Sequence, residues 1–494
     1  MKSLVYVFPL CLACVIARGE TNEPPNPAKP AGDTASIVTR FVNSRTGGSM
    51  DEFVPAVEEV KRRAEAGVPL YRFLLAIYSE QEPLCRLTPK DKAEYLAQGR
   101  PSIVKSAKAG NSMAQYLIGL DYAFNRKDMA TACTWLERSA SQGEALAQNS
   151  LGLLYFTGNH VPQNDQKACA YFRQAALQGD VNGEYNLAVL YQQGRGVPKD
   201  EEFARTLYTR AAEKGNSNAM NNLGWIYQQG IGVPSDAAAA TEWYRKSAAC
   251  GNADGLFNYG YCLLNGIGCP KDEKGAAVTF EKAAEQNHTE AELYLGLIHR
   301  DGRGVKQNDK KAVGWFRKAA KKGQAMAQFS LAQMLETGKG VGMDEGAAFA
   351  LYRKAAAQHF PRAVLKLGTC YYRGKHVEKD YGEAARLYRE AADAGLDTAQ
   401  NNLGMLYLHG EGVEANDEKA AEWFSKAAAQ GLPEAKYNLA MLHEFGRGVP
   451  RNHAKAIDLC KEAALGGHVG ATEWLFQRGY TEWINDIRLK EDNE

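Results

Sequence analysis

Apolar residues in this chain follow two nested rhythms, one of four residues and one of thirty-six. An Asx recurs every 36 residues, at Asp128, Asn164, Asp200, Asp236, Asp272, Asn308, Asp344, Asp380, Asn416 and Asn452, so the spacing defines ten copies. Four residues later stands an alanine, from Ala168, Ala204 and Ala240 through Ala420 to Ala456. Eight after the Asx comes an aromatic (Phe172, Tyr208, Tyr244, Phe280, Phe316, Tyr352, Tyr388, Phe424), and twelve after it an unbroken alanine column from Ala140 to Ala464. Spacings of four, eight and twelve fall on one helical stripe. The pattern therefore predicts one helix per copy, opened by the Asx, whose side-chain oxygen accepts from the orphan amides of the first turn. Glycine at plus fifteen closes it (Gly143, Gly179, Gly215, Gly251, Gly323, Gly395, Gly431, Gly467) by taking the left-handed conformation. Asn287 fills one gap in that column and tolerates the same conformation; His359, in the other, has no sequence-level explanation.

A second helix precedes each of these. Ala147, Leu151 and Tyr155 fall four apart, as do Ala219, Leu223 and Tyr227. Beside the Leu stands a Gly or Ala (Gly119, Gly152, Ala188, Gly224, Gly260, Gly296, Ala332, Gly368, Gly404, Ala440). A helical Gly costs roughly 1 kcal/mol relative to Ala, which a close helix crossing would offset. Between the helices lie Gly194-Arg-Gly196-Val197-Pro198, Gly230-Ile-Gly232-Val233-Pro234 and Gly446-Arg-Gly448-Val449-Pro450. Each unit reads as helix, glycine turn, helix. No unit can bury its apolar face alone, so the copies must stack into an all-α solenoid.

These columns resemble the Sel1-like repeat family, whose succession of Ala, Leu-Gly, Tyr, Gly-x-Gly-Val, Asn/Asp, Ala, paired aromatics, Ala-Ala and Gly is matched over residues 114–467. The resemblance implies a right-handed, tetratricopeptide-like α/α superhelix that acts as an adaptor or scaffold, exported in bacteria or lumenal in the endoplasmic reticulum of eukaryotes. It names no ligand. The first copy departs from the pattern, with nine residues from Gly119 to Asp128 where Gly152 to Asn164 spans twelve. Residues 51–113 read as a degenerate N-terminal repeat or cap, 468–487 with Trp474, Phe476 and Trp483 as a helical C-terminal cap, and 488–494 as a frayed tail.

The first residues break the rhythm. Lys2 precedes an apolar run from Leu4 to Ala17, with Val15 and Ala17 as a cleavage pair, so residues 1–19 read as a signal peptide. That run is short for a membrane span and no later one is long enough, so the mature chain is expected to carry no integral span and to be secreted, periplasmic or part of the cell envelope. Residues 20–50, with Glu23-Pro-Pro-Asn-Pro-Ala-Lys-Pro30 and few large apolar groups, read as a disordered Pro-rich tether. Lys+Arg 59 against Asp+Glu 58 leaves a net charge of +1, which gives no electrostatic case for nucleic acid.

Candidate chemistry is sparse. His299 and His443 replace the tyrosines of one helical column and read as packing variants. No His-Glu-x-x-His or dense Cys/His cluster argues for a metal, and the glycine motifs follow helices rather than strands, without a P-loop Lys-Ser/Thr, so no cofactor is expected. Ser102-Ile-Val-Lys105 has the Ser-x-x-Lys spacing of serine acylases, which would make a β-lactamase-like acylase the alternative enzyme reading; the partner motifs Ser-Asp-Asn and Lys-Thr-Gly are absent. Cys133 and Cys169 share one column, Cys262 and Cys370 another, which is how buried thiols behave. The best-placed disulfide joins Cys262 to Cys269.

Binding is read where the packing columns leave positions free. Three before and one after the Leu-Gly glycine lie four apart on the first helix of each unit, and they carry Tyr185 and Val189, Asn221 and Trp225, Phe257 and Tyr261, Phe329 and Gln333, Asn401 and Met405, Tyr437 and Met441. An exposed row of aromatics and amides on a concave face would suit a protein or peptide partner, or alternatively a cell-wall glycan. The competing reading is packing between repeats. The asparagines just before the Leu (Asn186, Asn222, Asn258, Asn402, Asn438) would clamp an extended backbone or cap an internal turn. The expectation is a non-catalytic scaffold.

Overall fold

A computed structural model describes residues 34–47, 50–80 and 82–480. The expected signal peptide, residues 1–19, and the tail, 488–494, lie outside the described residues. Twenty-five α-helices and no strand occur among those described. The chain divides into two compact units, residues 1–298 with 302–306, and residues 299–301 with 307–494.

The first unit opens with α1 (Thr34–Gly47), α2 (Met50–Glu65), α3 (Pro69–Tyr78) and α4 (Pro89–Lys108). Helix pairs follow, each with a first (A) and a second (B) helix: α5 (Ser112–Phe124) and α6 (Met129–Ser141), α7 (Ala145–Thr157) and α8 (Asp165–Leu177), α9 (Val181–Gln193) and α10 (Glu201–Glu213), α11 (Ser217–Gln229) and α12 (Ala237–Ala249), α13 (Ala253–Asn265) and α14 (Glu273–Glu285). The A helix α15 (Thr289–Asp301) begins in this unit and ends in the next. From α1 through α13 each helix packs on the one that follows.

The second unit holds the B helix α16 (Asp309–Lys321), then α17 (Ala325–Thr337) and α18 (Glu345–Ala356), α19 (Pro361–Arg373) and α20 (Tyr381–Asp393), α21 (Asp397–His409) and α22 (Asp417–Ala429), α23 (Pro433–Phe445) and α24 (His453–Leu465), and the closing α25 (Val469–Gln477). Here too each helix packs on its successor. In α25 Trp474 is buried and Arg478 lies over its ring at 3.8 Å.

Local chemistry accounts for where the B helices start and stop. All ten Asx residues cap them, each accepting from an amide of the first turn. The plus-fifteen glycines sit at positive φ, and Asn287 and His359 adopt the same conformation at φ 64° and 57°. At His359 the sequence offered no reason. Its Nδ1 lies 2.7 Å from Glu390 Oε1 in α20, a contact to the next B helix that the turn at φ 57° presents.

The core runs between A and B helices. Phe172, Tyr208, Tyr244, Phe280, Phe316 and Phe424 are fully buried. A Cβ on Gly152 would stand 2.5 Å from the ring of Phe172, one on Gly224 2.6 Å from Tyr244 and one on Gly404 2.7 Å from Phe424. The close crossing inferred from the Leu-Gly pairs is this contact of ring against glycine.

One expectation is corrected. Part of the segment read as a tether, residues 20–50, is the helix α1, with Ile37, Val38, Phe41 and Val42 buried. The ring of Phe41 lies 5.3 Å from Tyr78 and 5.9 Å from Phe53. The Pro-rich stretch before it masks a short apolar stripe at 37, 38, 41 and 42, enough to bury one helix face against α2 and α3.

Candidate interaction surface

The turns between A and B helices tie each repeat to the one before it. At Gly268, φ 65°, a Cβ would collide with the carbonyl of Ala237, in the first turn of the preceding B helix; Gly412 and Gly448 meet Tyr381 and Asp417 in the same way. The backbone of the preceding helix therefore occupies the space a phosphate would need. The basic residue after the first glycine reaches the first-turn acid of that preceding helix: Arg195 to Asp165 at 2.6 Å, Arg303 to Glu273 at 3.1 Å, Lys375 to Glu345 at 2.8 Å and Arg447 to Asp417 at 2.8 Å.

The A helices present the candidate row, and packing claims most of it. Tyr185 is half-buried with its ring 5.8 Å from Tyr208. Burial pushes its phenol up to about 12. Phe257 stacks on His288 at 4.8 Å and lies 5.7 Å from Phe280, while Tyr261 meets Tyr294 edge-on at 5.8 Å. In the second unit Phe329, only 8% exposed, sits between Tyr352 at 5.5 Å and Phe360 at 5.4 Å, and Tyr437 stacks on His468 at 4.5 Å. The position three before the glycine thus fills the gap between its own B-helix aromatic and the residue that opens the next A helix.

Asn221 and Asn401 join neighbouring repeats instead. Asn258 Nδ2 donates to Asn221 Oδ1 at 2.8 Å, Asn438 to Asn401 at 2.9 Å and Asn186 to Asn149 at 2.9 Å. Of the asparagine column, Asn186, Asn258 and Asn438 each link their own A helix to the A helix before it. Of the aromatics in the row, Trp225 in α11 is the one left in solvent, at 36% exposure.

Several positioning residues were not anticipated. Asp180, Asn216, Asn252, His288, Gln324 and His468 cap A helices through their side chains. Gln148, Gln328 and Gln400 donate to Ala140, Ala320 and Ala392 carbonyls and accept from Gln178, Gln358 and Gln430. Both sets recur at the repeat period, which is the signal that could have found them.

The remaining chemical candidates dissolve into packing or surface. Ser102 and Lys105 are exposed on α4. His299 and His443 are buried, the latter with Nδ1 3.2 Å from the Pro450 carbonyl. Cys262 and Cys269, the pair best placed for a disulfide, are free thiols, with Cys262 buried against Ala240 and Tyr244 and Cys269 packed on the same small cluster. Burial raises both thiols above their ordinary range. Among the described residues no cluster of His, Cys, Asp and Glu is placed to hold a metal ion, and no helix is long and apolar enough to cross a membrane.

Stacked α/α pairs joined by glycine turns, with amides and rings along the A helices, define a repeat scaffold. The Sel1 repeat pattern matches ten consecutive segments, 112–144, 145–180, 181–216, 217–252, 253–288, 289–324, 325–360, 361–396, 397–432 and 433–468, and the chain belongs to the Sel1 repeat family. Its structure is similar to that of a protective antigen present in uropathogenic Escherichia coli strains, which displays an SLR fold: 31% identity, TM-score 0.68, covering 88% of this chain and 93% of the other. A Sel1 repeat protein from Oxalobacter formigenes is 27% identical over 49% of this chain and 96% of its own, with a TM-score of 0.44. No curated protein matches. Sel1 repeats are scaffold folds that commonly serve as protein-interaction modules.

Proposed function

We propose that the chain is a non-catalytic, exported scaffold that holds a protein or peptide partner on the A-helix face of its first unit, around Trp225. The observation that carries this reading is the contrast in exposure along the candidate row. Its other aromatics are wedged between repeats, whereas Trp225 stands in solvent beside the neutral amides of Asn221 and Asn222. A large amphipathic ring on a rigid helix gives contact area at little entropic cost, and tryptophan is among the residues enriched at interface hot spots. Export is favoured by the apolar leader at the start of the sequence and agrees with the description of one structural relative as a protective antigen.

The test places a photo-crosslinking amino acid at the exposed Gln229, one turn beyond Trp225 in α11, and irradiates the chain in its source cells. A discrete protein adduct, competed away by the unlabelled chain and not by its Trp225→Ala variant, is the expected result. Retention on isolated cell-wall glycan with no protein adduct would replace the partner class, and an unimpaired Trp225→Ala competitor would move the site elsewhere.

A further inference from the structure

The helix α1 packs on α9, far along the chain, where Asn182 Nδ2 donates to Asn43 Oδ1 at 3.1 Å. Asn182 begins the face of α9 that continues through Tyr185, Asn186 and Val189 at helical spacing, so α1 covers the start of the A-helix face. Beneath this contact lies Asp180, 4% exposed. Its Oδ1 caps α9 by accepting from the Gly183 amide at 2.7 Å, and the Asn43 side chain also reaches the carboxylate. Oδ2 is buried and accepts no hydrogen bond from the described residues. An ionised carboxylate in that position leaves acceptor capacity unmet away from water, a penalty that protonation relieves.

The groups facing Asp180 do not reverse that preference. On α9 itself, Glu184 is fully buried and held by Arg210 of α10 at 2.5 Å and by Lys214 at 3.0 Å, so most of the nearby positive charge is already engaged. Asn216, which opens α11, and Asn182 are neutral; among its described side chains α1 contributes the neutral Asn43 and the exposed Arg40. Burial, with Glu184 adding repulsion, pushes the Asp180 carboxyl up to about 6 against the pull of the Gly183 amide, Asn43 and Lys214.

We infer that α1 is a pH-dependent strap on the A-helix face, latched to α9 in mildly acidic conditions and released at its Asn43 end toward neutral pH. With the latch closed Asp180 holds its proton more tightly than with the latch open and the carboxyl in water. Closure is therefore favoured fully below the ordinary carboxylate range and loses that advantage as pH rises through about 6. The ratio of closed to open latch falls by about 100-fold as pH rises across that window. Ile37, Val38 and Phe41 stay packed with Phe53 and Tyr78, so release is local. Only the consequence for a partner, tighter engagement of the α9 face at neutral pH, rests on the function proposed above; the latch itself does not.

Hydrogen exchange on the full chain without any partner tests the latch alone. Exchange in α1 and in the first turn of α9, corrected for its intrinsic pH dependence, is expected to slow tenfold or more from pH 7.5 to pH 5. Asp180→Asn keeps the cap, since Asn216 and Asn252 cap the next two A helices, and its exchange is expected to be slow and nearly flat over the same range. Asn43→Ala is expected to speed exchange at pH 5. Wild-type exchange without pH dependence, a full pH response retained in Asp180→Asn, or an unchanged rate at pH 5 in Asn43→Ala would each overturn the latch.

Discussion

The helices α11 and α17 occupy the same place in their repeats and treat their variable positions in opposite ways. In α17 the aromatic stands three before the glycine position, and Phe329 is driven into the gap between Tyr352 and Phe360, with Gln333 left in solvent. In α11 that position is Asn221, which accepts from Asn258, and the aromatic one turn later, Trp225, stays in solvent. Two sites four residues apart on one helix therefore belong to different jobs. In these two helices the first is part of the seam between repeats, filled by a ring or bridged by an amide, and the second is surface. An aromatic at the second position carries information about binding only where it stays exposed, as Trp225 does and Tyr261, packed on Tyr294, does not.

Breaking the seam should have the largest effect. Phe280 is fully buried against Gly260 and lies 5.7 Å from Phe257 and 5.4 Å from Tyr294, so Phe280→Ala empties a site shared by two repeats. Destabilisation of about 3–5 kcal/mol is expected, read by hydrogen exchange in α13 and α14, because a repeat array need not unfold in two states. Gly268→Ala comes next. Its Cβ would collide with the Ala237 carbonyl at φ 65°, and about 2–3 kcal/mol of strain is expected in the same readout. A Gly268→Ala chain with unchanged exchange at α12 and α13 would mean that the turns do not set the spacing of repeats.

The seam was also the part that the sequence showed most openly. Asp236, Ala240 and Tyr244 repeat at fixed spacing because cap, close contact and core ring answer to backbone geometry, which is alike in every copy. The face was harder to read. Phe257 and Trp225 look equivalent as letters, and only the neighbours Phe280, His288 and Tyr294, brought in from other helices, separate a buried ring from an exposed one. The helix α1 was missed because its apolar stripe is four residues long, follows a Pro-rich stretch, and finds its partner α9 through a contact that no local period encodes.

Smaller effects sharpen the same division. Asp236 accepts from the amides of Ala238 and Ala239, both at 2.9 Å, so Asp236→Ala should cost about 1 kcal/mol and fray the start of α12 alone, without touching a partner. Trp225→Ala should change stability least, by about 0.5 kcal/mol or less, since the ring is exposed and bridges no repeats. Its effect should instead appear in binding. Truncating a central aromatic anchor typically weakens an interface by about 2 kcal/mol, roughly thirtyfold in Kd. A matched Phe329→Ala variant gives the reverse signature, with exchange accelerated in α17 and α18 and the partner affinity of the first unit untouched. If Trp225→Ala destabilised the chain as much as Phe329→Ala, the second position would belong to the seam as well, and the surface proposed for a partner would have no anchor.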